Sequence, residues 1–547
     1  MEDRLSSRPE DGGRKLAQQA DIIGRGTWLD KVAQETVERE KALGRKLTVL
    51  RVESGLGASG LPHIGSVGDA IRSYGVKLAL ETLGHNSELI AYSDDFDGLR
   101  KVPAGFPAWL KDYISHPVSR IPDPFGCHGS YAEHVGSVLR DSLDRLGIRY
   151  RFQSGSEAYA SGLLSEQIRR ILAHSKSIGK KINELVGQSK YEESLPYTPV
   201  CSSCGRIYVT QAKSYDPGSD TVHYLCEGTK LGEKFVKGCG NEGDAKVSEG
   251  NGKLMWKVEF AARWAAFDIR FEAYGKELTD SVKINDWVAE HVLGYPPPYH
   301  ARYELFQDKS GKKISKSVGN LVTPAEWLEF ASPASLRLLM YKRIIGARSV
   351  SLDDIPVYMD DFDDLEEYYF SNRRDPNRMK DARQRGLYEY TMLLAPPKAK
   401  PIHVPYRLLA QLVSVAPMGA VEEFVSKRLA SYGMATGKPD ELSTRIAWAS
   451  KWGAREGKRA MPAPELGPPA KKAVREFAAA ILSARDADGV QNAAFEAAKR
   501  NGLRPGEFFP SVYAILLGSD RGPRLGPYVI DAGREAVSRS LLKAAAG

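Results

Sequence analysis

Residues 47–97 carry the feature that most limits the possible folds. A short apolar run at 47–52 (LTVLRV) leads into the loop SGLGASGLPHIGS, which holds four glycines and one proline. The segment GDAIRSYGVKLALETLG then reads as a helix stopping at Gly84, and a second apolar run at 88–93 leads straight into DDFDG. Strand, Gly-rich loop, helix and strand in this order form a βαβ unit, because parallel strands need a crossover and the usual crossover is a helix. Units of this kind build a parallel sheet with ligands at the carboxyl ends of its strands. An α/β fold is therefore expected.

The rest divides by composition. Residues 1–45 are charged and are expected to form a solvent-facing helical extension, with its apolar residues around 28–38. Residues 46–155 make the first half of the parallel-sheet domain and 254–345 the second half. Between them, 156–253 begins as helix and ends in a small Cys-, Gly- and Lys-rich insertion with few aliphatic residues. A hairpin-like YELFQDKSGKKISKS precedes helical spacing over 324–343. Beyond about 345 strand signals fade, so 346–370 is expected to be a helical connection and 371–547 an all-helical C-terminal domain.

Composition sets outer bounds. At 42% apolar and 27% charged residues the chain is an ordinary globular one, which excludes collagen-like and disordered classes. A net charge of +8 over 547 residues permits a polyanionic partner without requiring one. No uncharged apolar run approaches the ~18 residues of a membrane span. The start, MEDRLSSRPEDGGRK, has no apolar stretch of a secretory signal, so a cytoplasmic protein is expected.

In such a protein cysteines point to metal before disulfides, and their number, five, is odd. Cys201-x-x-Cys204 places two thiolates on one turn, and Cys226 and Cys239 complete a tetrahedral Zn²⁺ set, with His223 as an alternative ligand. The insertion otherwise lacks apolar residues to fold on, which favours zinc. A second cluster, Asp123, Cys127, His128 and His134, mixes ligand types that also suit Zn²⁺.

Two motifs bear on chemistry. Pro62-His63-Ile64-Gly65-Ser66 follows a strand and a Gly-rich loop and opens a helix. A helix start offers backbone N–H groups and partial positive charge to a phosphate, and an imidazole there can donate to a phosphoryl oxygen. About 250 residues downstream, Lys313-Ile314-Ser315-Lys316-Ser317 gathers cations and small hydroxyls suited to the charge on departing pyrophosphate. Each alone fits a capped surface loop or a solvated turn. In this order and together they resemble the two signatures of class I aminoacyl-tRNA synthetases.

The resemblance narrows to the class I lysyl-tRNA synthetases, archaeal type. It is carried by ESGLGASGLPHIGS, YSDDFDGLRKVP, IPDPFGCHGSYAEH, LMWKVEFAARW, YGKELTDS, YELFQDKSGKKISKSVGN, and near the end by FPSVY and GSDRGPRLGPYV. The family implies a Rossmann-type catalytic domain with a zinc-containing insertion, followed by a helical anticodon-binding domain. It also implies a reaction: ATP and Mg²⁺ convert L-lysine to lysyl-adenylate, and the lysyl group passes to the 3′ end of tRNA(Lys), with no membrane or DNA partner. Carried over by motif position, His63, Lys313 and Lys316 would act on the phosphates. Pro62, Gly65, Ser66, Gly275, Ser315 and Ser317 would join His63 and Lys316 around ATP. Similar Asp, Cys and His positions bind a second zinc in archaeal members. Three positions depart from the family pattern: Ser66 where the wider class has His, Leu278 where many archaeal-type members have His, and Gly57 where a larger side chain is expected.

A buried lysine ammonium needs a carboxylate, because an unpaired buried charge costs several kcal/mol. Glu53, Asp94, Asp95, Asp97 and Glu277 stand near the expected strand ends, beside Gly55. Trp264, Tyr274 and Tyr303 could wall the aliphatic stem. The acidic triplet also reads as a helix-capping loop. In the C-terminal region, Lys/Arg clusters at 451–459, 471–475 and 521–524 lie among the aromatics Trp452, Phe508 and Phe509, a mixture that suits anticodon-loop phosphates and bases. Two rival functions remain: a glutamyl-type class I synthetase, which would need a cation in its side-chain pocket, and a catalytically inactive tRNA-binding paralogue.

Overall fold

The computed structural model describes residues 21–58, 60–312, 322–401, 404–416, 421–431, 439–457, 465–517 and 524–546. Helix α1 (Trp28–Ala42) precedes β1 (Leu50–Leu56), α2 (Ile64–Thr82), β2 (Ser87–Ser93), α3 (Tyr131–Arg145) and β3 (Arg151–Ser154). After the insertion come α4 (Trp256–Phe267), β4 (Ile269–Gly275), α5 (Thr279–His291) and β5 (Tyr299–Tyr303). Among the described residues these five strands form one sheet in the order β5-β4-β1-β2-β3. All four pairings are parallel. The strand order reverses between β1 and β4, the topological switch point where doubly wound sheets open a crevice. The chain thus has the Rossmann-type sheet expected of it.

Both faces of the sheet are covered, as the period-two side-chain alternation requires. On β2, Leu89 and Ala91 join a core with α1, α2 and α3, whereas Ile90 and Tyr92 join a second core with α4 and α5. Helix α1 is not the solvent-facing extension its charge suggested. Leu29, Ala33 and Val37, spaced by four, are buried against α2, and Asp30 and Glu40 are buried with them. Gly75 allows this approach, since a Cβ there would stand 2.9 Å from Leu29 and 2.6 Å from Tyr341. Asp30 caps its own helix through Thr27, and Glu40 is ion-paired with Arg45 and Arg270, so the buried charges are matched.

The insertion builds a three-stranded antiparallel sheet from Thr210–Asp216, Thr221–Cys226 and Glu242–Lys246, with a short hairpin of Gly228–Leu231 and Lys234–Lys237. Downstream of β5, Phe306–Gln307 pairs in parallel with Arg348–Ser349, so this short strand is tied to the connecting segment. From Arg378 to Ala546 every regular element among the described residues is a helix, and residues 473–545 enclose a separate apolar core around Phe477, Phe508 and Val529. No helix among the described residues is long and apolar enough to cross a membrane.

Candidate active site at the switch point

The helix start that the sequence assigned to phosphate is occupied by its own histidine. His63 is the N-cap of α2, and its Nδ1 accepts from the backbone N–H groups of Gly65 (3.0 Å) and Ser66 (3.3 Å). Ser66 Oγ in turn accepts from the His63 backbone N–H at 3.4 Å. The open N–H groups expected there are thus engaged by the ring. An accepting Nδ1 puts the proton of the neutral imidazole on Nε2, the tautomer that donates to an oxygen anion.

The next backbone donor, the N–H of Ile64, reaches the carbonyl of Val322 at 2.9 Å. Val322 resumes the described chain after Lys313, Ser315, Lys316 and Ser317, which lie outside the described residues. At the near end, Lys312 closes a turn on Asp308, with Asp308 N–H donating to the Lys312 carbonyl at 2.7 Å. That turn follows Phe306, which lines the same cavity as His63. The far end of the lysine-serine segment is therefore anchored at the start of α2, and its near end follows a short strand whose Phe306 borders the same cavity.

The cavity measures about 220 Å³ and is bordered by Gly55 at the end of β1, by residues 63–66, Asp69 and Arg72 on α2, and by Glu277 and Tyr303–Phe306 beyond β4 and β5. Gly275 and Pro62 flank it in sequence. Tyr303 faces the Asp69 carboxylate, and the Arg72 guanidinium lies 4.2 Å from the centre of the Tyr303 ring. Burial raises the Asp69 carboxyl to about 7 against the pull of Arg72 and Tyr303.

Under Gly55 lies a charge network the sequence reading did not foresee. Arg263 on α4, 1% exposed, pairs with Glu53, with Asp94 at 3.2 Å and with Glu272 at 3.6 Å. Lys253 pairs with Asp97 and, at 3.0 Å, with Glu259, which also accepts from Tyr159 at 2.9 Å. Five buried or nearly buried carboxylates thus share two cations. Burial pushes Glu53 and Asp94 each up to about 8 against the opposing pull of Arg263. Their titration belongs to the cluster and not to either residue alone. An arrangement with surplus carboxylate gains from one further cation, and its nearest edge to the cavity is Asp94: a Cβ on Gly55 would lie 3.9 Å from Asp94 Oδ2.

Residues 26–393 match the family model described as tRNA synthetases class I (K). The chain belongs to this family. It is 49% identical to a lysine–tRNA ligase of Cenarchaeum symbiosum strain A over 95% of this chain and 98% of that protein. It is 30% identical to a lysine–tRNA ligase of Halobacterium salinarum over 94% of this chain and 97% of that one. A lysine–tRNA ligase of Rickettsia felis is also 30% identical, over 93% and 95% respectively.

Within this class I (K) synthetase several anticipated residues have other places. Trp264 is wholly buried on α4, donates to Glu272 at 2.5 Å, and does not line the cavity. Asp95 is the capping loop of the bland reading: it accepts from Ser154 Oγ at 2.7 Å and from Ser156 N–H at 2.6 Å. Glu53 and Asp97 serve Arg263 and Lys253 below the cavity. Tyr274 packs edge-on against His300. Gly55, Glu277 and Tyr303 do border the cavity. Arg263 was detectable as a single charge in the apolar run Phe260–Phe267, a pattern that burial explains only if it has partners, whereas Lys253, next to Gly-Asn-Gly, carried no such signal.

Both expected ligand clusters are assembled. The ligand atoms of Cys201, Cys204, Cys226 and Cys239 all lie within 4.8 Å of one another. Cys201–Cys239 and Cys204–Cys226 sulfur separations are 3.6 and 3.8 Å, close to the ~3.8 Å edge of a tetrahedron with 2.3 Å Zn–S bonds. The Cys239 N–H donates to Cys226 Sγ at 3.3 Å, an outer-shell contact of the kind that fixes metal thiolates. His223 is not in this set: its ring bonds Glu242 and Asp244. In the other cluster, Cys127 Sγ lies 3.1 Å from His128 Nδ1 and 3.2 Å from His134 Nδ1, and Asp123 Oδ1 lies 3.4 Å from His134 Nδ1. Burial opposes ionisation of Asp123, but N–H donors of Phe125, His128 and Cys127 outweigh it and hold the carboxyl down at about 2. Both donor sets fit Zn²⁺.

The C-terminal aromatics are placed differently from their expected stacking role. Trp452 donates to the Leu352 carbonyl at 2.9 Å, and Phe508 is fully buried in the C-terminal core. Phe509 packs on Phe495 at 4.9 Å between ring centres, and Phe495 is the exposed ring of that pair. Arg455 is paired with Asp353 at 3.0 Å, and residues 518–523 lie outside the described residues.

Proposed function

We propose that the chain is a lysine–tRNA ligase that activates L-lysine with ATP and transfers it to tRNA(Lys). The observation that carries this reading is the meeting of three features at one switch point. These are a histidine-capped helix start, the Val322 anchor of a lysine-serine segment, and a carboxylate-rich cluster just below Gly55. In this reading His63 donates from Nε2 to a phosphoryl oxygen, and Lys313 and Lys316 stabilise the departing pyrophosphate. Mg²⁺ bound with ATP supplies further charge neutralisation. A lysine carboxylate oxygen attacks the α-phosphorus as the bond to pyrophosphate breaks. A hydroxyl of the 3′-terminal ribose of tRNA then attacks the acyl carbonyl, and AMP leaves as the acyl–phosphate bond breaks. This chemistry is mainly positioning and charge stabilisation.

The ε-ammonium is assigned to Asp94, backed by Glu53 and Glu272. A glutamyl substrate would meet surplus negative charge there, which disfavours that rival. The two metal clusters hold structural Zn²⁺, residues 371–547 bind the anticodon arm, and the protein works in the cytoplasm. ATP–pyrophosphate exchange with each of the twenty amino acids tests the reading. Lysine alone should support exchange; exchange with glutamate, or with none, would refute it.

A further inference from the structure

One buried acceptor in the cavity is not used by the reaction as proposed. Asp69 lies one helical turn beyond Gly65 on α2, and its Oδ1 is buried with no hydrogen-bond donor among the described residues. Tyr303 faces the Asp69 carboxylate and favours its charged form, while Oδ1 has acceptor capacity left over. The cavity wall mixes apolar Ile64, Leu305 and Phe306 with the charged Arg72, Glu277 and Glu304, and the Arg72 guanidinium pulls on the Asp69 carboxylate. Leaving a buried acceptor unpaired is destabilising, so the position gains from a donor brought by a ligand.

We propose that Asp69 reads the base of the nucleotide, its Oδ1 accepting from the 6-amino group of adenine. The inference rests on the reading of the chain as an ATP-dependent ligase. In this reading a triphosphate at His63 carries its nucleoside into the 220 Å³ cavity that residues 63–66 and Leu305–Phe306 border. A single remaining acceptor matches one N–H of an exocyclic amine. An ammonium group carries three donors, and the surplus carboxylates under Gly55 suit it better. The same acceptor disfavours a purine with oxygen at position 6, because two acceptors would then face each other without a proton between them. Sites built around such a hydrogen bond discriminate far more strongly than apolar pockets do.

The test is direct binding of ATP and of ITP, each with Mg²⁺ and without amino acid, followed by calorimetry. Full-length protein is used at about pH 8.5, above the value of about 7 to which burial raises Asp69. The unaltered protein should bind ATP at least about tenfold more tightly than ITP. Equal affinities overturn the proposal before any variant is made. In Asp69→Asn the amide can donate to the 6-oxygen, and the ATP-to-ITP ratio should fall to within about threefold. Tyr303→Phe removes a neighbour but keeps the carboxylate, so its ratio should stay high. A purely structural role for Asp69 would weaken both nucleotides equally and leave the ratio unchanged, which also overturns the proposal. Because no amino acid is present, failure of the lysine reading would show only in the exchange assay, whereas failure of this inference shows in the ratio.

Discussion

Replacing Gly55 by alanine should separate the stability of the protein from its affinity for lysine. The new Cβ would lie 3.9 Å from Asp94 Oδ2 and 4.0 Å from Arg263 Nη2, ordinary van der Waals distances, and Gly55 has no left-handed backbone to strain. The free protein therefore accepts the methyl, and a lower unfolded-chain entropy adds ~0.4–1 kcal/mol of stability. The substrate does not accept it, because the methyl occupies the space between the cavity and Asp94. Losing one charge-assisted hydrogen bond costs ~1.5–3 kcal/mol, which is roughly a 10- to 150-fold rise in the KM for lysine. The KM for ATP should rise less than that for lysine, since the nucleotide is assigned to residues 63–66, Asp69 and Leu305–Phe306 of the same cavity. The assay is lysine-dependent ATP–pyrophosphate exchange with a thermal melt of the same preparation. A folded variant with an unchanged KM for lysine would show that the ammonium does not pass Gly55 to reach Asp94.

Other outcomes follow from the same arrangement. Asp94→Asn keeps the volume and an acceptor for Arg263 but removes a charge, so the KM for lysine should rise by roughly 10- to 150-fold in the exchange assay. Lys316→Ala should lower adenylate formation by about two to three orders of magnitude with tRNA affinity nearly unchanged, measured by single-turnover quench and filter binding. Lysine binding should tighten as pH rises toward 8. Glu53 and Asp94 are each raised to about 8 by burial, so below that they hold protons that an incoming ammonium must displace. Calorimetry at about pH 6 and pH 8 should find up to about tenfold weaker binding per unit of falling pH for one displaced proton, with protons released on binding. Elemental analysis should find two zinc ions per chain, and Cys204→Ser should lose one of them and destabilise the insertion.

The sequence makes the scaffold easy to read because its signals are local. The apolar run before SGLGASG, the helix ending at Gly84 and the second run before DDFDG suffice for the βαβ unit. Four cysteines in an aliphatic-poor stretch suffice for the ligand set. What sequence hides is which partner each charge meets. The acids of DDFDG look like open substrate ligands, yet Asp97 is matched by Lys253 and Asp94 by Arg263, residues more than 150 positions away. Asp95 is consumed locally by the turn at Ser154–Ser156. Helix α1 looks solvated because its charges dominate its composition, but their partners, Arg45 and Arg270, lie outside the helix. His63 is visible as a motif residue, while its capping of α2 depends on a ring orientation that no spacing reveals. Asp69 follows Gly65 by four and so shares its helical face, a signal that was present but masked by the louder acidic triplet.

The most direct measurement is a structure with a non-hydrolysable ATP analogue and lysine bound together. The account predicts one triphosphate within about 3.5 Å of both the His63 ring and the Lys316 ammonium, with the lysine ε-ammonium over Gly55 toward Asp94. A nucleotide that meets only one of His63 and Lys316, or a lysine side chain directed away from Asp94, would contradict it.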